Sequence, residues 1–268
     1  MKQSLLLFLS ADRLHAQLMS GGKIALQRDF TDTPDGRESF SSFLKTTKCP
    51  VYLLTDLIEE DFRHEIVPHL SGKSRTALLH RKFDQFYRGT PFHQATLLQR
   101  QKTGRRDDDM LFSALTNPSL IQPWLNIMLV QQTPLAGIYS VPQISAPLVK
   151  NHPSKHLLLI SWEKFSGLRQ TYFSEHRLQI SRLTPVHAEQ TFNHAVVKEL
   201  ARTYQYLKSL SLLPSGQILD VRILCHANDL GELKNSLPRS ADMHYDFADI
   251  EEVGRQLKID YRLTDSDA

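Results

Sequence analysis

The sequence is poor in cysteine and has no long hydrophobic run. Cys49 and Cys225 are the only cysteines, and because they lack metal-ligand spacing we expect two reduced, buried thiols in strand-like segments. No window approaches the ~20 apolar residues of a membrane-spanning helix. The N-terminal apolar run is interrupted at residues 10–13 by Ser-Ala-Asp-Arg, which argues against a signal peptide. These absences predict a soluble cytoplasmic protein.

Signatures of catalysis and of metal binding are also missing. The sequence has no Gly-x-Ser-x-Gly elbow, no Cys/His pairing and no phosphate-binding loop. His152 and His156 have the spacing of a helical metal pair, but Pro153 lies between them where a strand begins. We therefore expect a surface loop there and no bound metal.

The composition is that of an ordinary globular protein. Hydrophobic residues make up 41% and charged residues 23% of the 268 residues, so the chain is long enough for two domains with ample core. The net charge of +3 is too small for the whole protein to act as a polyelectrolyte binder.

A weak internal repeat relates residues 14–30 to residues 168–184, which lie 154 positions further along the chain. Both segments have the pattern of a β-hairpin, and each follows an apolar run. The identical positions are Leu14/Leu168, Ser20/Ser174 and Arg28/Arg182. We interpret this repeat as a duplication of the fold.

The first half is predicted to begin with three strands and a helix. Strands are expected at 4–10, 13–19 and 23–30, with a short helix at 37–45. From residue 51 to residue 141 the order β-α-β-β-α-β predicts a small ferredoxin-like subdomain. Its helices are expected at 72–87 and after Asn117-Pro118, and its last strand at 136–141.

The second half repeats the opening pattern. Strands at 156–161, 167–174 and 177–184 are followed by a long helix at about 188–212. A strand at 218–225, a helix at 229–237, a short strand near 243–247 and a helix at 249–257 complete a β-β-β-α-β-α-β-α order. The acidic tail at 264–268 is expected to be loose.

This layout resembles the actin-like ATPase superfamily, in which two ribonuclease-H-like halves enclose a nucleotide. The chain is most similar to PilM-type proteins of type IV pili and to the cytoplasmic part of GspL-type proteins of type II secretion. The resemblance implies an α/β fold of two actin-like halves, at residues 1–150 and 151–268. It also implies a subdomain at about 51–141, embedded in the first half.

The residues expected to bind nucleotide depart from the family pattern. An active member has an Asp-x-Gly turn after the first strand of each half, whose amides meet the phosphates. Here Ser10 and Asp12 lie in the first turn without a following glycine, and the second turn runs from Ser161 to Gly167 with Trp162 inside it. The family's Gly-rich adenosine loop is replaced by ILCHANDLG at 223–231. The resemblance therefore implies a vestigial cleft and no cofactor, or ATP with Mg²⁺ if the cleft still functions.

The positive charge is concentrated in the embedded subdomain. Residues 73–106 carry a net charge of +8, and the rest of the chain carries −5. The basic residues are Lys73, Arg75, Arg81, Lys82, Arg88, Arg100, Lys102, Arg105 and Arg106. They could form a solvated face or a docking surface for an acidic protein, anionic lipid or nucleic acid. Because Asp107, Asp108 and Asp109 follow at once and would repel phosphate, we favour a protein partner.

Other polar and aromatic groups receive structural interpretations. We expect the acidic segment 59–61 to be an exposed loop or helix start, and the aspartates at 107–109 to solubilise a turn. The aromatic pairs Phe86/Tyr87 and Tyr204/Tyr206 are expected in the core.

The sequence thus predicts a non-catalytic actin-like scaffold that binds protein partners at the cytoplasmic side of an envelope machine. Homodimerisation and peripheral membrane association stay open. The first alternative is a divergent ATPase or sugar-kinase-like enzyme with Asp12 on the metal. The second is a nucleic-acid-binding module that uses the basic segment.

Overall fold

The computed structural model describes residues 3–163, 165–185 and 191–257, and within them the chain forms two five-stranded sheets and one three-stranded sheet. The predicted acidic tail at 264–268, and residues 188–190 of the predicted long helix, lie outside the described residues. That helix begins at Phe192, where the Thr191 hydroxyl accepts from the His194 amide as an N-cap.

The first half is built on a sheet with the order β3-β2-β1-β4-β8. Its elements, in chain order, are β1 (Gln3–Leu9), β2 (Arg13–Ser20), β3 (Lys23–Thr31), α1 (Pro34–Thr46), β4 (Val51–Thr55), β5 (Glu60–Val67), α2 (Gly72–Phe86), β6 (His93–Arg100), β7 (Asp108–Leu115), a 3₁₀ turn (Pro118–Leu120), α3 (Gln122–Val130), β8 (Leu135–Ser140), α4 (Val141–Ile144) and α5 (Ala146–Val149). Helices α1 and α3 cover one face of this sheet, where Phe40 packs edge-on against Trp124 in the core.

The second half has the same strand order, β11-β10-β9-β12-β13. Its elements are β9 (His156–Glu163), β10 (Gly167–Ser174), β11 (Arg177–Thr184), α6 (Phe192–Ser209), β12 (Leu219–Cys225), α7 (Leu230–Ser236), β13 (Met243–Asp249) and α8 (Ile250–Gln256). Helices α6 and α7 cover one face, and Val149 of α5 packs on the other against Leu157, Leu159 and Phe173. The last helix of the first half therefore helps to close the core of the second.

A matching β-bulge in each half confirms the duplication. In the first hairpin the pairing shifts so that Ala25 is an extra residue on β3, and in the second it shifts so that Gln179 is an extra residue on β11. The two positions are 154 residues apart, the spacing of the sequence repeat. Because a bulge is a specific local feature of a strand pair, its repetition at equivalent positions is strong support for two related halves.

The inserted unit differs from the predicted ferredoxin-like subdomain. Strands β4 and β8 belong to the five-stranded sheet of the first half, where each pairs in parallel register. The inserted sheet has the order β5-β7-β6 and is covered by α2. The insertion therefore runs from β5 to β7, and the prediction of 51–141 was too wide.

Strand β5 was missed because its sequence, EDFRHEIV, is rich in charge. The segment 59–61 was predicted to be an exposed loop or helix start, which is wrong for Glu60, because its side chain is buried. The strand lies against β11 of the second half, and the His64 ring donates to the carbonyl oxygen of the bulge residue Gln179 over 2.9 Å. A long-range contact therefore partly covers a strand whose local sequence indicates solvent.

The predictions for the tyrosines and the cysteines were partly correct. Tyr87 and Tyr204 are buried as expected, but Tyr206 is exposed, so its assignment to the core was wrong. Both cysteines are buried and free. Cys225 ends β12, whereas Cys49 lies in the loop before β4 rather than in a strand.

Candidate functional site

The turn between β1 and β2 is closed by its own hydrogen bonds. The amide and the hydroxyl of Ser10 both donate to the carbonyl oxygen of Arg13, over 3.0 and 3.2 Å. Ser10 is buried and the carboxylate of Asp12 is exposed. The Asp12 carbonyl oxygen accepts from the Asp32 amide over 2.8 Å. This turn therefore presents a solvent-facing carboxylate at the position where the family resemblance implies a metal-holding aspartate.

The turn between β9 and β10 already holds an anion, the side chain of Glu163. One carboxylate oxygen of Glu163 accepts from the amides of Phe165 and Ser166, over 2.8 and 2.6 Å. Burial raises the pKa of the Glu163 carboxyl, and these hydrogen bonds oppose that rise. The amides that would meet a phosphate in an active family member therefore bind a carboxylate of the same turn.

Gly167 has a structural role at the end of this turn. Its φ is +117°, and a Cβ added there would lie 2.3 Å from the Thr184 carbonyl oxygen. Glycine is therefore needed so that β10 can approach the end of β11. Ser161, the other predicted residue of this turn, lies half-buried on β9 opposite Arg169.

A buried cluster of three charged side chains, Arg169, Asp56 and Glu60, joins the two halves. The Arg169 guanidinium on β10 donates to Asp56 over 2.7 Å and to the Leu57 carbonyl oxygen over 3.1 Å. It also lies 3.2 Å from Glu60. All three charged side chains are buried. Burial raises the pKa of Glu60 to about 7, although Arg169 lowers it. One cation therefore connects the second half to the first half and to the insertion.

The space between the two turns is small. Ala11 of the first turn and Phe165, Ser166 and Gly167 of the second line a cavity of about 100 Å³, and the Arg13 guanidinium lies 4.1 Å from the centre of the Phe165 ring. Pockets for small molecules and cofactors usually enclose ~300–1,000 Å³. In this arrangement the residues present do not fit a nucleoside triphosphate with its Mg²⁺, because the cavity is small and the amides of Phe165 and Ser166 already bind Glu163.

The embedded basic segment is partly neutralised within the insertion. Asp108, predicted to solubilise a turn, is fully buried and accepts from His69, Arg75 and Arg100 over 3.0, 3.0 and 2.9 Å. Burial alone would raise the pKa of Asp108, but these three hydrogen bonds lower it to about 2. Asp108 therefore ties the start of α2 to the β6–β7 hairpin.

Two further cations of the segment are paired within the described part of the chain, and five are not. Lys82 contacts Glu65 over 2.5 Å, and Arg105 contacts Asp107 over 2.8 Å. Within the described residues, the following five form no ion pair and are exposed: Lys73, Arg81, Arg88, Lys102 and Arg106. Lys73 and Arg81 lie on α2, Arg88 follows the C-terminal end of that helix, and Lys102 and Arg106 lie in the turn between β6 and β7. We call these five residues the cationic face.

A second concave surface lies between the insertion and β8. It is a cavity of about 270 Å³, lined by residues that include Phe92, His93, Ile138, Tyr139 and Gln143.

Within the described residues, no group of three or more His, Cys, Asp or Glu side chains is arranged to hold a metal ion. No described helix is long and apolar enough to cross a membrane.

Sequence reasoning missed Asp56, Glu60, Glu163 and Arg169, which form the contacts in the cleft. A signal was present for Arg169, because it interrupts an otherwise uncharged strand, GLRQTYFS. A charged residue within a buried strand requires a partner. The position of that partner, 113 residues earlier in the chain, was not visible locally.

Comparison with known proteins supports the fold. No protein-family model and no curated protein matches the sequence. Among solved structures, the chain is similar to the PilM–PilN type IV pilus biogenesis complex, with 10% identity over 96% of this chain and 93% of that one and a TM-score of 0.59.

Two further structures have TM-scores of at least 0.50. The cytoplasmic domain of EpsL, an inner membrane component of the Vibrio cholerae type II secretion system, has 12% identity over all of both chains and a TM-score of 0.52. A Bacteroides thetaiotaomicron protein with an actin-like ATPase fold and unknown function has 12% identity over 87% of this chain and 86% of that one, with a TM-score of 0.50. The two related sheets, the inserted unit and these similarities show that this chain has the actin-like ATPase fold.

Proposed function

We propose that this chain is a non-catalytic actin-like scaffold that binds protein partners in a pilus-type or secretion-type envelope assembly at the cytoplasmic side of the membrane. The observation that carries the proposal is the Glu163 carboxylate on the amides of Phe165 and Ser166. With that anion in place and Arg169 bound to Asp56, the cleft is held together by the protein's own charges, so it needs no nucleotide to bridge its halves.

The similar structures support the kind of assembly that we propose for this chain. One is a complex of PilM with PilN in type IV pilus biogenesis, and another belongs to a component of the type II secretion system. A scaffold in such an assembly requires a stable body and an accessible docking surface. The buried ion cluster would stabilise the body, and the insertion provides accessible surface.

The cationic face is the proposed docking surface for an acidic partner. Its members are exposed and form no ion pair with any residue that the structure describes, whereas Arg75, Lys82, Arg100 and Arg105 are already paired. Rim cations of this kind steer association and contribute specificity more than raw affinity. The prediction from sequence is therefore narrowed to Lys73, Arg81, Arg88, Lys102 and Arg106.

Titration of Mg·ATP into the purified chain, followed by calorimetry, tests the absence of a nucleotide function. We expect no saturable heat up to millimolar nucleotide. Saturable binding that Asp12→Ala removes would contradict the proposal and favour the alternative, a divergent ATPase. Binding that survives Asp12→Ala would place the nucleotide away from the predicted metal position.

The docking surface is tested with a partner isolated through a tagged chain and then purified. We expect Arg81→Glu combined with Arg88→Glu to weaken its binding by about tenfold or more, equivalent to about 1.4 kcal/mol. The matched control is Lys45→Glu combined with Lys198→Glu, the same charge change at exposed positions outside the insertion. Equal binding by both double variants would exclude the cationic face. A steep loss of nucleic-acid binding with salt would instead support the second alternative.

A further inference from the structure

The cavity between the insertion and β8 contains a buried carboxylate whose hydrogen bonding is incomplete. Glu60 lines this cavity, and its side chain is 5% exposed. The Thr55 hydroxyl donates to Glu60 Oε1 over 3.1 Å. Glu60 Oε2 and the neighbouring Ser140 hydroxyl, which also lines the cavity, are buried and form no well-aligned hydrogen bond with any described residue. Because buried polar atoms normally have partners, these two oxygens indicate a place for a hydrogen-bond donor.

The charges around Glu60 are also unbalanced. Asp56 and Glu60 share one guanidinium, since Arg169 donates to Asp56 over 2.7 Å and lies 3.2 Å from Glu60. Among the described residues, no other cation pairs with either carboxylate. When both carboxylates are ionised, one buried negative charge therefore lacks a counterion, which is costly in a protein interior. A cation that entered the cavity would supply that counterion.

The rest of the cavity is suited to a short hydrocarbon chain. Its lining includes the apolar side chains of Phe62, Phe92, Leu115 and Ile138. No Lys or Arg of the described residues lines it, so a cationic ligand would meet no like charge from these side chains. Its volume of about 270 Å³ is slightly below the ~300–1,000 Å³ of common ligand pockets, which limits the occupant to a small molecule. The five residues of the cationic face lie outside its lining, so the cavity is separate from the proposed docking surface.

We propose that this cavity binds a small alkylammonium compound, with the ammonium group on Glu60 and the hydrocarbon chain along the apolar lining. An ammonium group has three donors and no acceptor. It would donate to Glu60 Oε2 and to the Ser140 oxygen, and its charge would balance the cluster of Asp56, Glu60 and Arg169. A metal ion fits less well, because no group of three or more His, Cys, Asp or Glu side chains among the described residues is arranged to hold one.

Binding of the ammonium group should be coupled to the loss of a proton from Glu60. The charged groups that act on Glu60 are Arg169 on β10 and Asp56 at the end of β4, and burial raises the pKa of Glu60 to about 7. His93 of β6 lines the same cavity. Because the ligand requires the ionised carboxylate, its apparent dissociation constant is the intrinsic constant divided by the ionised fraction. Affinity should therefore fall about tenfold from pH 8 to pH 6, while an alkylammonium stays protonated over this range, as lysine does.

Calorimetric titration with n-butylammonium chloride tests the proposal, with n-butanol as the uncharged probe of similar shape. For the wild-type chain at pH 8 we expect saturable binding of butylammonium in the millimolar range and no detectable binding of butanol. Glu60→Gln should weaken butylammonium binding by about tenfold or more, equivalent to about 1.4 kcal/mol. The matched control is Glu65→Gln, the same change on the same strand at a carboxylate that is paired with Lys82 and lies outside the cavity lining. It should bind butylammonium as the wild type does.

The proton coupling provides a second readout, which needs no variant. Titrations of the wild-type chain at pH 7 in phosphate and in Tris, whose ionisation enthalpies differ, should show release of about half a proton per butylammonium bound, since Glu60 is then about half ionised. Circular dichroism checks that Glu60→Gln, an uncharged mimic of the protonated side chain, is folded. The proposal would be overturned by a wild-type chain that does not bind butylammonium at pH 8, by equal binding of butanol, by the absence of proton release, or by a folded Glu60→Gln that binds as tightly as the wild type.

Discussion

The guanidinium of Arg169, on β10 of the second half, donates to the carboxylate of Asp56, at the end of β4 in the first half, over 2.7 Å with both side chains buried. Arg169 also contacts Glu60 of the insertion. The three structural units of the protein therefore meet at one cation. Because a buried charge is costly unless it is paired, this contact specifies how the units are placed.

Breaking this pair from one side should destabilise the fold strongly. Among the described residues, Asp56→Ala leaves the buried Arg169 with Glu60 as its remaining carboxylate partner, and we expect a loss of about 3–5 kcal/mol in the free energy of unfolding. The double variant Asp56→Leu/Arg169→Met removes both charges and should lose much less. Urea unfolding of the three proteins measures the difference. If the double variant were less stable than Asp56→Ala, the stability lost in Asp56→Ala would not be caused by the unpaired charge of Arg169.

The stability should fall with pH through the titration of Glu60. Its pKa is raised from 4.5 to about 7 in the folded protein, so between these values the folded state binds more protons than the unfolded state. The contribution is complete below about pH 4.5 and is lost as the pH rises through 7. We expect a loss on the order of 3 kcal/mol between pH 5 and pH 8. Glu60→Gln should be less dependent on pH over this range, and parallel curves for the two proteins would exclude Glu60 as the source.

Removal of the Glu163 carboxylate should expose an anion site. Glu163→Ala leaves the amides of Phe165 and Ser166 without their acceptor, and we expect a loss of about 1–3 kcal/mol. Millimolar phosphate should restore part of this stability when compared with chloride at equal ionic strength. Glu175→Ala, at an exposed turn position paired with Lys155, is the control and should not respond. The readout is the melting temperature. The absence of any phosphate effect on Glu163→Ala would show that these amides do not form an anion site.

Gly167 should tolerate substitution by alanine much less well than Gly22 of the first hairpin. Gly167→Ala adds a Cβ 2.3 Å from the Thr184 carbonyl oxygen at a φ of +117°, whereas a Cβ at Gly22, with φ +83°, meets no atom within 4 Å. We expect a cost of about 1–2 kcal/mol at Gly22, from backbone strain alone, and a clearly larger cost at Gly167. Equal losses in chemical denaturation would mean that the β10–β11 contact relaxes without penalty.

Much of the architecture could be predicted from the sequence. The hairpin pattern at 14–30 indicated the first hairpin, and the 154-residue repeat indicated the second. These features are local, because strand and turn preferences depend on near neighbours. The two related halves followed from them, together with the presence of an inserted unit. The lack of Asp-x-Gly turns was also visible, since a motif is a property of adjacent residues.

The candidate site depended on contacts between distant residues. Glu60 and Asp108 lie in acidic segments that indicate solvent, yet each is buried next to cations from other strands or helices, Arg169 for Glu60 and Arg75 with Arg100 for Asp108. Glu163 was not recognised because its role depends on the direction of two backbone amides, which no residue type encodes. The sequence by itself determined the duplicated fold through local pattern. Only the tertiary structure decided which charges are buried and paired, because the energy of an ion pair depends on distance and burial, and the chain order contains neither.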